Sequence, residues 1–78
     1  MDMKDAIIEV LNEVLRENGH APFPFTATTN IFRETAIDSL ALAVVLVKLE
    51  ERVGKDPFAE GFTSFSTVGE LVRIYENA

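Results

Sequence analysis

The residues best suited to chemistry are Asp38 and Ser39, which stand directly before an apolar run near the middle of the chain. Aspartate and serine are preferred helix caps, so one of them is expected to begin a helix here. A serine hydroxyl in the first helical turn faces solvent, and the unpaired backbone amides beside it favour an attached phosphodiester. The pair therefore predicts either a simple helix cap or a hydroxyl that carries a phosphate group.

The rest of the sequence offers little material for catalysis. It contains no cysteine, which excludes a disulfide, a thiolate metal site and a cysteine nucleophile. Its single histidine, His20, is far from Ser39 in sequence. Glu50 and Glu51 are adjacent, so on a helix their side chains point in different directions and do not form a catalytic pair. We therefore expect the chain not to be an enzyme and to have no metal centre of its own.

Length and charge narrow the class of protein. The 78 residues, 47% of them hydrophobic, suffice for one domain, expected to span residues 1–78. The net charge of −6 repels phosphate backbones, which argues against nucleic acid as a partner. No apolar run approaches the roughly 20 residues of a membrane span, and no signal peptide is evident at the N-terminus. We expect a soluble, cytoplasmic monomer that does not bind membranes.

Three amphipathic helices are predicted around the site. The first spans residues 3–17 and ends at Asn18-Gly19, since glycine readily closes a helix. The second spans residues 38–54. Its valine-rich run alone could form a buried strand, but the apolar spacing continues to Val53 as one helical face, which favours a helix. The third begins at Thr67, which forms a capping box with Glu70, and Ser66 is the rival cap.

The segments between these helices are less regular. Residues 19–37 lack helical spacing and contain two prolines, so they predict a long loop, with a helical turn near residues 30–34. Several of its apolar residues are expected to hold the loop against the helices, from among Phe23, Phe25, Ile31, Phe32 and Ile37. Asp56-Pro57 predicts a short helix that ends at Gly61. The expected fold is all-α, a small bundle of three principal helices and one short helix, with a long loop between the first two helices.

The segment Ile37-Asp38-Ser39-Leu40 resembles the Asp-Ser-Leu motif of acyl carrier proteins. The resemblance covers nearly the whole chain, including the loop with Ile31-Phe32, the helix end at residues 49–54 and the entry to the last helix at residues 65–68. It implies that Ser39 is esterified by 4′-phosphopantetheine, which a phosphopantetheinyl transferase takes from coenzyme A. It also implies that Asp38 helps to hold the magnesium ion used in that transfer.

The resemblance further implies partners and a pathway. The thiol at the end of the arm carries acyl groups as thioesters to acyl-loading and acyl-processing enzymes of fatty acid, polyketide or a related specialised pathway. The competing hypothesis is a non-catalytic helical adaptor that binds a protein partner, with Ser39 only a helix cap. Covalent gain of the phosphopantetheine mass distinguishes the two.

The helix that begins at Ser39 departs from the family pattern. Carrier proteins of bacterial fatty acid synthesis usually expose acidic residues there, whereas this helix has alanine and valine, with Lys48 and Arg52 adding positive charge. The departure favours a specialised pathway. We expect a docking surface for partner enzymes formed by Leu40, Ala41, Ala43, Val44, Val47, Lys48 and Glu51. The alternative is that the loop buries some of these apolar residues.

Overall fold

The computed structural model describes residues 2–78, and these residues form four helices. They are α1 (Met3–Glu17), α2 (Ile31–Glu34), α3 (Ser39–Val53) and α4 (Val68–Glu76). Helix α1 packs against both α3 and α4. The described part of the chain contains no β-strand, and only one isolated bridge pairs Asn30 with Thr67. The predicted all-α bundle is therefore confirmed.

Helix α1 has caps at both ends. The Asp2 side chain accepts a hydrogen bond of 2.8 Å from the Asp5 amide. At the other end Gly19 has a φ of +83°, and its amide donates to the carbonyl of Arg16. The His20 amide donates to the carbonyl of Leu15, which completes a Schellman motif. The predicted helix at residues 3–17 and its glycine stop are confirmed.

The core lies where α1, α3 and α4 meet. Its largest fully buried side chains come from all three helices and from the start of α2: Ile7, Val10, Leu11, Val14, Ile31, Val45, Leu49, Val68, Leu71 and Tyr75. Removing a side chain of this kind, as in a leucine to alanine substitution, typically costs about 2–5 kcal/mol. The core therefore fixes the direction of α3 and with it the position of the residues at its start.

The long loop is attached to α1 by one polar side chain. The Asn12 carboxamide accepts a hydrogen bond of 2.7 Å from the Phe23 amide and donates one of 3.2 Å to the Phe23 carbonyl. Phe23 is half-buried, and the ring of Phe25 beside it is buried, at a centroid distance of 5.0 Å. The expectation that these apolar residues hold the loop is confirmed for both.

The same loop is joined to the entry of α4 by backbone hydrogen bonds. The Ile31 amide donates to the Ser66 carbonyl, the Val68 amide to the Thr29 carbonyl, and the Gly69 amide to the Ala27 carbonyl, at 2.8, 3.1 and 2.8 Å. A Cβ atom added at Gly69 would lie 3.0 Å from the Ala27 carbonyl oxygen, so the absence of a side chain permits this close approach. The loop and α4 are thereby held together.

The prediction of a short helix from Asp56-Pro57 to Gly61 is wrong. Residues 57–60 form a turn, in which the Asp56 side chain accepts from the Phe58 amide at 3.3 Å. The Gly61 amide donates a hydrogen bond to the Phe58 carbonyl. The rings of Phe58 and Phe62 stack with their centroids 5.3 Å apart. Gly61 has a φ of +145°, a backbone conformation outside the helical range. Within residues 2–78 the short helix is α2, at the position where a helical turn was expected.

No helix within residues 2–78 combines the length and the apolar character needed to cross a membrane.

Candidate functional site

The start of α3 presents a serine hydroxyl on an ordered helix terminus. Asp38 is the N-cap, and its Oδ1 accepts a hydrogen bond of 2.9 Å from the Ala41 amide, while its carbonyl accepts one of 2.8 Å from the Leu42 amide. Ser39 is the first helical residue, and its side chain is exposed. The amides of Ser39 and Leu40 have no acceptor within residues 2–78, as expected for the first turn of a helix. Of the two predicted caps, the structure selects Asp38.

The segment that leads into Ser39 is held in place from α2. Asn30 caps α2 by accepting from the amides of Phe32 and Arg33 at 3.1 and 3.0 Å. The Thr35 hydroxyl donates to the Ile31 carbonyl at 2.6 Å and accepts from the Ile37 amide at 3.2 Å. Ile37 is buried in the core, as predicted. Because Ile37 is fixed two positions before Ser39, the Ser39 hydroxyl has a defined position on the protein surface.

The other two serines have different surroundings. Ser66 is half-buried, and its hydroxyl donates to Glu70 Oε1 at 3.1 Å. Ser64 is exposed in the irregular segment between α3 and α4 and does not begin a helix. Ser39 therefore differs from both, since it alone combines exposure with the first position of a helix among the described residues.

The entry of α4 forms the predicted capping box. The Thr67 side chain accepts from the Glu70 amide, and Glu70 Oε1 accepts from the Thr67 amide at 3.0 Å and the Ser66 amide at 2.9 Å. These backbone hydrogen bonds lower the pKa of Glu70 to about 2. The choice of Thr67 over Ser66 as the cap is confirmed.

The outward side of α3 carries a row of exposed apolar side chains beyond Ser39. Leu40 is 79% exposed, Val44 45% and Val47 55%. A shallow groove along this row is lined by Ala43, Val44, Val47, Lys48 and Glu51. Ala41 is only 6% exposed and faces the core, so the expectation that it lies on an exposed surface is wrong. Of the two alternatives, burial holds for Ala41 and exposure for Leu40, Ala43, Val44 and Val47.

The basic residues of α3 pair with acidic residues of α1. Lys48 Nζ lies 2.9 Å from Glu13 and 3.3 Å from Glu17, and Arg52 pairs with Glu9. The hydrogen bond to Glu13 raises the pKa of Lys48, and the same bond lowers the pKa of Glu13. These pairs were not predicted from the sequence, although the spacing of four residues between Lys48 and Arg52 and along Glu9, Glu13 and Glu17 was a usable signal. The positive charge of α3 is thus compensated within the molecule.

A family model described as a phosphopantetheine attachment site matches residues 5–74 of this chain. The match extends from α1 into α4 and includes the start of α3. No curated protein and no solved structure gives a significant match.

Proposed function

The chain belongs to the phosphopantetheine attachment site family, whose members carry 4′-phosphopantetheine covalently on a serine, and we propose that Ser39 is that serine. On this proposal residues 1–78 act as one carrier unit. The bound arm supplies a thiol, which the cysteine-free chain itself lacks. This thiol holds acyl groups as thioesters. The observation that carries the proposal is the exposed hydroxyl of Ser39 at the first position of a capped helix.

The surroundings of Ser39 fit a phosphodiester. The amides of Ser39 and Leu40 have no acceptor within residues 2–78, and the partial positive charge of a helix N-terminus favours an anion. That interaction is worth about 0.3–1 kcal/mol on an exposed helix. Within residues 2–78 the Ser39 hydroxyl forms no hydrogen bond with a basic side chain, so the proposal assigns the removal of its proton to the transferase.

Asp38 has two roles in this proposal. Its Oδ1 caps α3 through the Ala41 amide. Its Oδ2 has no hydrogen-bond partner within residues 2–78 and lies on an exposed side chain, so it can ligate a magnesium ion together with the phosphates of coenzyme A. Carboxylate and phosphate oxygens are the ligands that magnesium prefers.

The proposed partners are a phosphopantetheinyl transferase and enzymes that load or process the acyl group. Their docking surface is the exposed apolar row of α3 (Leu40, Val44 and Val47) together with Ala43, Lys48 and Glu51, which line the groove along it. Ala41 no longer belongs to it because its side chain is buried. An apolar surface with internally compensated cations suits recognition by apolar contact and fits partner enzymes of a fatty acid, polyketide or related specialised pathway. We further propose that the carrier is a monomer and acts in the cytoplasm.

The experiment is intact-mass spectrometry after incubation with coenzyme A, magnesium and a broad-specificity phosphopantetheinyl transferase. The protein is expected to gain the mass of one phosphopantetheine. Ser39→Ala is expected to abolish the gain, and Ser66→Ala, which removes the serine that contacts Glu70, is expected to retain it. No gain with several transferases, despite native folding, would favour the adaptor function instead.

A further inference from the structure

Thr35 ends α2 with its side chain, at the point where the chain turns toward Ser39. Its backbone is extended, with φ −131° and ψ 173°. A continuing helix would bond the Ile31 carbonyl to the Thr35 amide. The Thr35 hydroxyl takes this role instead and donates a hydrogen bond of 2.6 Å to that carbonyl. The end of α2 therefore depends on a side chain as well as on the backbone.

The same hydroxyl holds the segment that follows α2. It accepts a hydrogen bond of 3.2 Å from the Ile37 amide, so one oxygen atom joins both sides of the bend at residues 35–36. The Ile37 side chain is 2% exposed and belongs to the core. The backbone is thus held at Ile37, one residue before Asp38 and two before Ser39, by a hydrogen bond and by burial.

Helix α2 needs such closure because it is only one turn long. A helix of four residues is not stable through its own backbone hydrogen bonds. At its start, the Asn30 side chain accepts from the amides of Phe32 and Arg33, and Glu34 Oε2 accepts from the Asn30 amide at 2.7 Å. At its end, the side-chain hydrogen bonds come from Thr35. Without them, α2 and the segment that follows it would be joined by the chain and the core alone.

We propose that Thr35 is a positioning residue for the transfer of phosphopantetheine to Ser39. The inference rests on the proposed attachment at Ser39 and adds a residue that acts through the backbone of residues 36–38. In the transfer, Ser39 Oγ forms a bond to the phosphorus nearest the pantetheine. The bond from that phosphorus to the nucleotide half of coenzyme A breaks, and the serine proton passes to the transferase. Reacting atoms must be held about 3–3.5 Å apart, and a displacement of about 1 Å can lower the rate about a hundredfold.

A positioning role predicts a particular kinetic signature. On the proposed function the transferase docks against the exposed row of α3, and the core holds α3 through buried residues such as Val45 and Leu49. Loss of the Thr35 hydroxyl therefore leaves docking intact and lowers kcat with little change in KM. Partial unfolding gives the opposite signature, because a smaller folded fraction of the carrier raises the apparent KM and leaves kcat at saturation unchanged.

The test measures transferase kinetics by intact mass over time, with coenzyme A, magnesium and a range of carrier concentrations. Thr35→Val keeps the shape of the side chain and suits extended backbone but lacks the hydroxyl. We expect its kcat to fall about tenfold. We expect its KM for the carrier to stay within about twofold of the wild-type value. Thr35→Ser retains the hydroxyl and is expected to restore kcat to near the wild-type value.

Thr29→Val is the matched control in the same loop. Thr29 is 5% exposed, and its hydroxyl accepts a hydrogen bond of 2.9 Å from the Thr26 amide. The substitution removes the same atoms and a comparable backbone partner, away from the segment before Ser39. It is expected to lower the denaturation midpoint, as Thr35→Val does, and to leave kcat unchanged.

Hydrogen exchange at the Ile37 amide tests the same hydroxyl on the wild-type chain, whether or not Thr35→Val folds. We expect this amide to be protected, because Thr35 is its acceptor. Exchange at the rate of an unprotected amide would overturn the inference.

Three kinetic outcomes would also overturn it. Wild-type kcat in Thr35→Val would show that burial of Ile37 alone positions Ser39. An equal loss of kcat in Thr29→Val, or no recovery in Thr35→Ser, would show that the Thr35 hydroxyl has no specific role. If the wild-type chain accepts no phosphopantetheine on Ser39, the proposed function fails, whereas normal wild-type loading with any of these outcomes overturns the role of Thr35 alone.

Discussion

At the scale of single residues, Asp38 and Ser39 have different roles at the start of α3. Asp38 begins α3 and satisfies one of its free amides, and Ser39 takes the first helical position, where its hydroxyl is exposed. Because the cap uses only one carboxylate oxygen, capping and the proposed metal binding do not compete. The two roles can therefore be separated by substitution.

Replacing Asp38 tests this separation. Asp38→Ala is expected to lower the free energy of unfolding by about 1 kcal/mol, because the cap is lost. Asp38→Asn keeps the capping oxygen and is expected to leave stability nearly unchanged. Both variants are expected to slow transfer of phosphopantetheine by about tenfold or more, since removal of groups around a metal has effects of that size. Urea denaturation and transferase kinetics measure the two effects, and full transfer activity in Asp38→Asn would refute the metal role.

The capping carboxylate of α4 predicts a dependence of stability on pH. The pKa of Glu70 is about 2 in the folded protein, below its ordinary 4.5, because backbone amides bind the charged form. Its contribution to stability is therefore present above about pH 4.5 and is lost as the pH falls from there through 2. Glu70→Gln retains an acceptor oxygen but does not titrate.

The measurement is the difference in unfolding free energy between wild type and Glu70→Gln from pH 7 to pH 2. We expect the wild-type advantage to be constant above about pH 5 and to disappear near pH 2. A difference that stays constant across this range would show that the Glu70 charge contributes nothing to the cap.

At the scale of elements, the sequence predicts helices well where the apolar spacing is long and the ends carry caps. The valine-rich run of α3 favours a strand by propensity, but its continuation to Val53 and the stop at Gly54 correctly indicate a helix. The prediction of a short helix at Asp56-Pro57 is wrong because a cap and a proline indicate only where a helix can start. Phe58 also packs on Phe65 and on Tyr75 of α4, and these tertiary contacts cannot be read from the local sequence.

The long loop is an element whose order depends on Asn12. Asn12→Ala removes both hydrogen bonds to Phe23 and is expected to lower the free energy of unfolding by about 1–3 kcal/mol. Asn12→Asp keeps the acceptor for the Phe23 amide and is expected to have a smaller effect. The denaturation midpoint reports the change, with the slope of the transition unchanged. Equal stability of Asn12→Ala and the wild type would mean that the loop is held by its apolar side chains alone.

At the scale of the whole molecule, ion pairs between α1 and α3 lie beside the exposed apolar row of α3. The acidic side chains of α1 compensate Lys48 and Arg52, which leaves the row formed by Leu40, Val44 and Val47 as the outward feature of α3. The sequence indicated the outward side of α3 except at Ala41, because the burial of Ala41 depends on how α3 packs in the bundle. Pairing between α1 and α3 is likewise a property of the assembled fold.

A charge placed in this row tests docking. Val44→Glu is expected to lower the transferase kcat/KM by about tenfold, the effect of losing a contact of about 1.4 kcal/mol at an interface. Ala59→Glu adds the same charge in the turn before α4, where Ala59 is exposed, and is expected to have little effect. Equal effects of the two substitutions would indicate net charge rather than docking, and no effect of Val44→Glu would remove this row from the interface with the transferase.

The most direct measurement of the central claim is fragmentation mass spectrometry of the protein purified from the cells that make it. The account predicts one phosphopantetheine, free or acylated, in the fragments that contain Ser39, and the mass of the acyl group would identify the cargo. A phosphopantetheine located on Ser64 or Ser66, or a folded protein that carries none under conditions where the transferase is active, would contradict it.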